Sequence, residues 1–237
     1  MKTIEQRIAD MNWSEIHESL DSRGYALVPS VITASEAEGL INNYHDNQAY
    51  RKTVVMERYR FGLGEYRYFK YPLPTLIDSI RRMIYTELAP VANRWMECLN
   101  KDTRYPRGHQ QLLEHCQASG QDKPTVLILK YGKGGHNTLH QDLYGDIFFP
   151  VQTVLFLNQP GVDYTGGEFV MTEQVPRAQS KAIVLTPGKG DMLMFTTNFR
   201  PVKGSRGYYR AGMKHGVSEV HDGKRFTLGI IFHDALT

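Results

Sequence analysis

Hydrophobic positions follow two different rhythms along the chain. In the first half they recur mostly at intervals of three and four, which places them on one stripe of a helix, and after Pro124 they alternate or form short runs, which suits strands. Ile4 to Leu20 therefore predicts a helix, and Tyr25–Val28 a short strand behind Gly24. A second helix follows, capped by Thr33 or Ser35, with Glu36 and Glu38 near the positive end of its dipole. From Thr75 to about Asn100 the stripe Leu76, Ile77, Ile80, Met83, Ile84, Leu88, Val91, Trp95 and Leu99 predicts a long helix interrupted near Pro90. Gly108 to Ala118 predicts another. Residues 51–74, with aromatic and basic side chains interleaved around two glycines, read as strand and loop.

Beyond Pro124 about eight strands follow one another, with no stretch of helical spacing between them. This predicts an α+β chain whose core is a double-stranded β-helix, or jelly roll, two antiparallel sheets packed face to face. Within a single domain of 237 residues, 1–123 would form a helical N-terminal part with a few strands of its own, and 124–237 the jelly-roll core.

Composition narrows the class without naming a partner. A net charge of +3 is too mild to imply nucleic acid by itself. Cys98 and Cys116 lie far apart with no CxxC pair, which argues against a disulfide framework or zinc ribbon. The N-terminus lacks the apolar stretch of a signal peptide, and nowhere do about 18 apolar residues run together. A soluble, cytoplasmic protein with free thiols and no membrane partner is expected.

The chemistry concentrates in the strand-rich half. His140 and Asp142 are one residue apart, so on a strand both side chains point to one face and can hold one metal ion. His215 lies 73 positions later (215 minus 142), and two histidines with one carboxylate form the facial triad suited to iron(II) oxygenases. Taken alone, an HxD pair is more often polar residues facing water. Arg225, ten residues after His215, offers a planar fork that matches a carboxylate, although by position alone it reads as a turn arginine.

These residues resemble the 2-oxoglutarate and iron(II) dependent dioxygenases, whose pattern is HxD, a distant His and a basic residue about ten positions on. The resemblance runs from about Thr125 to Asp234 and implies that His140, Asp142 and His215 are both the metal ligands and the catalytic centre. It further implies that Arg225 grips the distal carboxylate of 2-oxoglutarate, with Thr227 adding a hydroxyl and Tyr131 contacting the co-substrate. The implied reactants are Fe(II), 2-oxoglutarate and O2, the products succinate and CO2, and the reaction a hydroxylation or demethylation. The wider chain is similar to a bacterial branch of that superfamily described, by analogy, as acting on damaged DNA. The triplet His140-Gln141-Asp142 is shared with AlkB-type dealkylases, but their RxNxTFR motif is replaced here by KRFTLGII, and the spacing of ten is nearer that of prolyl hydroxylases. Three alternatives stay open: a DNA or RNA dealkylase, a prolyl-hydroxylase-like hydroxylase of protein or small molecule, and a non-catalytic sensor of iron or 2-oxoglutarate.

The substrate is expected to be anionic on local grounds. Residues 196–214 hold Arg200, Lys203, Arg206, Arg210 and Lys214 with no acidic residue, and this segment reads as a loop rimming the site, with Arg206 and Arg210 as substrate contacts. Arg58 to Lys70, including Tyr66 and Tyr68, would form the opposite wall. Interleaved aromatics and cations suit stacked bases, and equally a core strand with snorkelling arginines.

Overall fold

The computed structural model describes residues 2–237. The N-terminal part consists of α1 (Ile4–Ala9), α2 (Trp13–Arg23), β1 (Tyr25–Val28), α3 (Ala34–Asn42), β2 (Tyr50–Val55), β3 (Gly62–Leu63), β4 (Glu65–Phe69), α4 (Thr75–Cys98) and α5 (His109–Ala118). The remainder is all strand: β5 (Leu127–Tyr131), β6 (His136–His140), β7 (Val151–Phe156), β8 (Tyr164–Gly166), β9 (Phe169–Gln174), β10 (Lys181–Leu185), β11 (Met192–Thr196), β12 (Phe199–Gly204), β13 (Gly207–Val217), β14 (Val220–Gly223) and β15 (Arg225–Ile230).

The strands form a seven-stranded sheet ordered β1-β11-β7-β15-β5-β4-β2 and a facing sheet ordered β10-β9-β13-β6-β3, with β12 paired to β13. This is the expected α+β jelly roll. Strand alternation gives the large sheet two apolar faces. Ile128, Leu155, Met194, Leu228 and Ile230 point outward and share a buried cluster with Ile77, Ile80, Ile84, Leu88 and Trp95 of α4. Val154, Phe156, Leu193 and Phe195 point inward and meet Phe169, Met171 and Met213 of the facing sheet. The helices thus buttress one face, and the other is free to wall a cavity.

Several local expectations are corrected. The first predicted helix is two helices, because Asp10 closes α1 and Asn12 opens α2 by accepting from the Glu15 N–H. Pro90 does not interrupt α4, which runs through it with the proline ring on its exposed side. The basic segment 196–214 is not a loop but largely the β12–β13 hairpin. Its Arg200 is buried and paired with Glu173 at 3.0 Å, so an internal partner satisfies a charge that the local sequence leaves unmatched. No helix among the described residues is long and apolar enough to cross a membrane, and both cysteines are free thiols.

Candidate active site

β6 and β13 pair so that His140 and His215 stand directly opposite each other, their ring centroids 4.2 Å apart. Asp142 follows just beyond β6 and reaches back between them, with 3.5 Å from its Oδ1 to His140 Nε2 and 3.2 Å from its Oδ2 to His215 Nε2. One ligand atom from each residue lies within 4.8 Å of the others, so the three converge on a volume the size of one ion. The histidine nitrogens are presented by their surroundings. His140 Nδ1–H donates to the Thr138 carbonyl at 2.8 Å, which turns its Nε2 toward Asp142. The His215 ring stacks on Phe169 and meets the edge of Phe195.

Tyr144 adds a contact that the sequence reading missed. Its hydroxyl donates to Asp142 Oδ1 at 2.7 Å, and burial together with the Asp142 charge holds it protonated far above the usual tyrosine range. Burial alone would raise the Asp142 carboxyl, but the two histidines outweigh it and hold it well below its ordinary value. For His215, burial and the neighbouring His140 oppose the charged form and lower its pKa, whereas at His140 the carboxylate overcomes burial and raises it. The site therefore holds an ionised carboxylate beside two imidazoles, a donor set matched to a divalent transition metal. A fourth anchor is Gln141, whose side-chain amide donates to the Asn198 and Met213 carbonyls and fastens the His140–Asp142 segment to β12 and β13.

A cavity of about 310 Å³ opens beside the triad between the two sheets. On the large sheet, Arg225, Thr227 and Gly229 of β15 and Leu127, Leu129 and Tyr131 of β5 share its inward face, and Arg225 sits across from Tyr131 in the β15–β5 register. The Arg225 side chain is buried, ringed by Tyr131, Phe156 and Tyr164 with ring centroids 5.6, 5.6 and 5.9 Å from its guanidinium carbon. It forms no salt bridge among the described residues, and its Nε and Nη1 have no hydrogen-bond partner there. The Tyr131 hydroxyl is likewise unpartnered, with burial pushing its pKa up to about 12. Buried guanidinium donors left without an acceptor cost about several kcal/mol unless an anion completes them. The orphaned donors over an apolar wall fit the carboxylate of an oxo acid reaching the metal from the same cavity.

The other expected contacts separate. Tyr66 lines the cavity, while Tyr68 is buried behind it against Tyr66 and Tyr144. Arg206 and Arg210 do not line it. Arg210 lies five residues before His215 on an extended strand, roughly 16 Å away, with its guanidinium over Phe199. Gln152 and Thr153 do line it, with unpartnered side-chain atoms, and nothing in their local sequence marks them. Tyr144 had a usable signal, since it continues the His140, Asp142 alternation by two more residues.

Residues 64–235 match the family described as "Oxygenase, catalysing oxidative methylation of damaged DNA". Two uncharacterised proteins of Mycobacterium tuberculosis, from strains CDC 1551 and H37Rv, are each 42% identical over 167 residues, 70% of this chain and 72% of theirs. Among solved structures, a Pseudomonas putida prolyl-4-hydroxylase aligns over 92% of this chain and 96% of its own with TM-score 0.52 and 13% identity. A Trichoplax adhaerens prolyl hydroxylase in complex with a hypoxia inducible factor peptide aligns over 98% and 93% with TM-score 0.54 and 12% identity. Those likenesses show the shared fold, and the match over 64–235 together with the mycobacterial relatives shows that the chain belongs to this oxygenase family.

Proposed function

We propose that the protein is an iron(II) and 2-oxoglutarate dependent dioxygenase that oxidises the methyl carbon of a methylated base in nucleic acid. The observation that carries the co-substrate half of this reading is Arg225, buried and unpaired in the same cavity as the His140, Asp142, His215 cluster. His140, Asp142 and His215 would hold the iron. Arg225, with Thr227 and the protonated Tyr131 hydroxyl, would bind and orient the distal carboxylate of 2-oxoglutarate. The chemistry supplied by bound iron would be the oxidation of substrate by O2 coupled to that of 2-oxoglutarate, with succinate and CO2 as co-products, one oxygen atom entering succinate and the other the substrate.

The chain's own residues perform the remaining tasks. Leu127, Leu129, Val154, Phe169 and Phe195 keep water from the reacting groups, and Tyr144 keeps Asp142 aimed by donating to one of its oxygens. A volume near 310 Å³ lies at the low end of the roughly 300–1,000 Å³ of small-molecule sites, and here it must hold metal, oxo acid and substrate together. Only one compact group of a larger substrate can enter, which suits an extruded base. The family description supports nucleic acid as that substrate. Oxidation of an N-methyl carbon breaks a C–H bond, forms C–O, and lets the carbon leave as formaldehyde, so the methyl group is removed.

The test is stoichiometric. With Fe(II), 2-oxoglutarate and an N-methylated single-stranded oligonucleotide, succinate and formaldehyde should appear one to one, and His140→Ala should abolish both. Succinate formed at the same rate with no formaldehyde, and with hydroxyproline appearing in a proline peptide instead, would transfer the reading to peptide hydroxylation.

A further inference from the structure

The mouth of the cavity carries an aromatic feature that metal and co-substrate leave unused. Between β2 and β3 the chain makes a 3-10 turn over Met56–Tyr59, then places Arg60 in the left-handed region at φ 60°. The turn stacks Tyr59 on Phe61, with centroids 5.4 Å apart and planes 20° from parallel. Buried aromatics would need no explanation, but Tyr59 is 55% and Phe61 43% exposed. The pair is fixed to the active site, because the Phe61 carbonyl accepts both the N–H and the hydroxyl of Thr138 at 2.9 Å, two residues before His140. Phe61 itself lines the cavity, as does the exposed Leu143.

Charge around this pair is one-sided. Arg58 and Arg60 flank Tyr59 on the exposed turn, and neither forms an ion pair among the described residues. The turn bearing Lys133 packs on Leu63 of β3, where a Cβ on Gly134 would stand 3.4 Å from the leucine Cδ2. Arg58 and Arg60 thus share the turn that carries the stack with one acidic residue, Glu57, and Lys133 stands on the turn beside the neighbouring β3. An exposed ring stack between arginines presents a free π-face to extend and two forks for phosphate, the combination that binds single-stranded nucleic acid.

We propose that Tyr59, Phe61, Arg58 and Arg60 form the clamp that holds unpaired nucleic acid beside the base entering the cavity. The nucleobase adjacent to the entering one stacks on Tyr59, and the phosphates on either side meet Arg58 and Arg60. Because stacking needs an unpaired base, the strand is held single. The inference rests on the nucleic-acid reading above and extends it to the residues that grip the strand.

Fluorescence anisotropy of a labelled, unmodified oligodeoxynucleotide of about a dozen nucleotides, titrated with the full chain at rising salt, tests it. Tyr59→Ala and Tyr59→Leu should each weaken binding at least about fivefold, and Tyr59→Trp should restore it, since a ring and not mere apolarity is required. Arg58→Gln with Arg60→Gln should lower the log–log salt slope by about 1.4, the loss expected for two phosphate contacts on a single strand. Equal affinity for wild type and Tyr59→Ala overturns the clamp, as does wild-type protein that binds no oligonucleotide. A Tyr59→Ala effect confined to a proline peptide overturns it too. The absorption band of 2-oxoglutarate chelated to iron, followed on the same samples, reports on the oxygenase reading alone, so either conclusion can fail without the other.

Discussion

Arg225 is the residue on which the energetics of the site turn. Arg225 is 1% exposed among three aromatic rings, which attract a cation, and its Nε and Nη1 have no hydrogen-bond partner among the described residues. The fold carries that cost in readiness for a carboxylate. Replacing a buried charge that lacks a partner by an apolar residue of similar length is commonly neutral or stabilising. Arg225→Met should therefore raise the melting temperature of the metal-free, co-substrate-free protein by roughly 2 to 8 °C while abolishing 2-oxoglutarate binding. A fall in melting temperature would mean that Arg225 already has an internal partner. Such a residue is only half legible in sequence: its spacing from His215 pointed to it, but its burial comes from Tyr131, Phe156 and Tyr164 on other strands.

The metal ligands are positioned by the pairing of β13 with β6, and one glycine sets how closely they approach. A Cβ on Gly216 would stand 2.5 Å from the Asn137 carbonyl and 3.3 Å from the Leu139 nitrogen, both backbone atoms of β6. Gly216→Ala should push β6 away from β13, spread His140 from His215, and weaken Fe(II) binding about tenfold or more while far-UV circular dichroism stays nearly unchanged. Unaltered metal affinity would show that the pair tolerates the methyl group. Alternation made His140 and Asp142 readable as one face, and the same rule would have included Tyr144. It failed for Arg200, Arg206 and Arg210, because a charged run with Pro201 looks like a loop, and the partner that makes Arg200 internal, Glu173, is on β9.

Across the whole molecule, the C-terminal segment is fastened to α4, to α5 and to the loop before β7 by buried polar groups. Arg81 pairs with Asp234 at 2.8 Å and donates to the Ile231 carbonyl, Phe149 N–H donates to His233 Nδ1, and His109 Nε2 bonds the Phe232 carbonyl. These contacts link residues more than 80 positions apart, so no local pattern announces them; His233, read from sequence as structural, is one of their members. Burial first, and then the Arg81 charge, lowers both His109 and His233 to about 3. Unfolded, each titrates near 6.5, so between those values the unfolded chain binds more protons and stability falls as pH falls, by up to about 1.4 kcal/mol per pH unit for each histidine. Urea midpoints measured from pH 7 down to pH 4 should show this decline, and His233→Asn, which keeps an acceptor for Phe149, should make it shallower. A profile with the same slope in the variant would remove His233 from the account.

If the triad and Arg225 form one site for iron and 2-oxoglutarate, the two must bind together in the same cavity. Anaerobic titration of Fe(II) and then 2-oxoglutarate into the protein, followed by visible absorption, tests it most directly. A weak charge-transfer band should saturate with one equivalent of each in the wild type and be absent at the same concentrations in Arg225→Met, although that variant still binds the metal. A well-folded wild-type protein that gives no band, or a band undiminished in Arg225→Met, would contradict it.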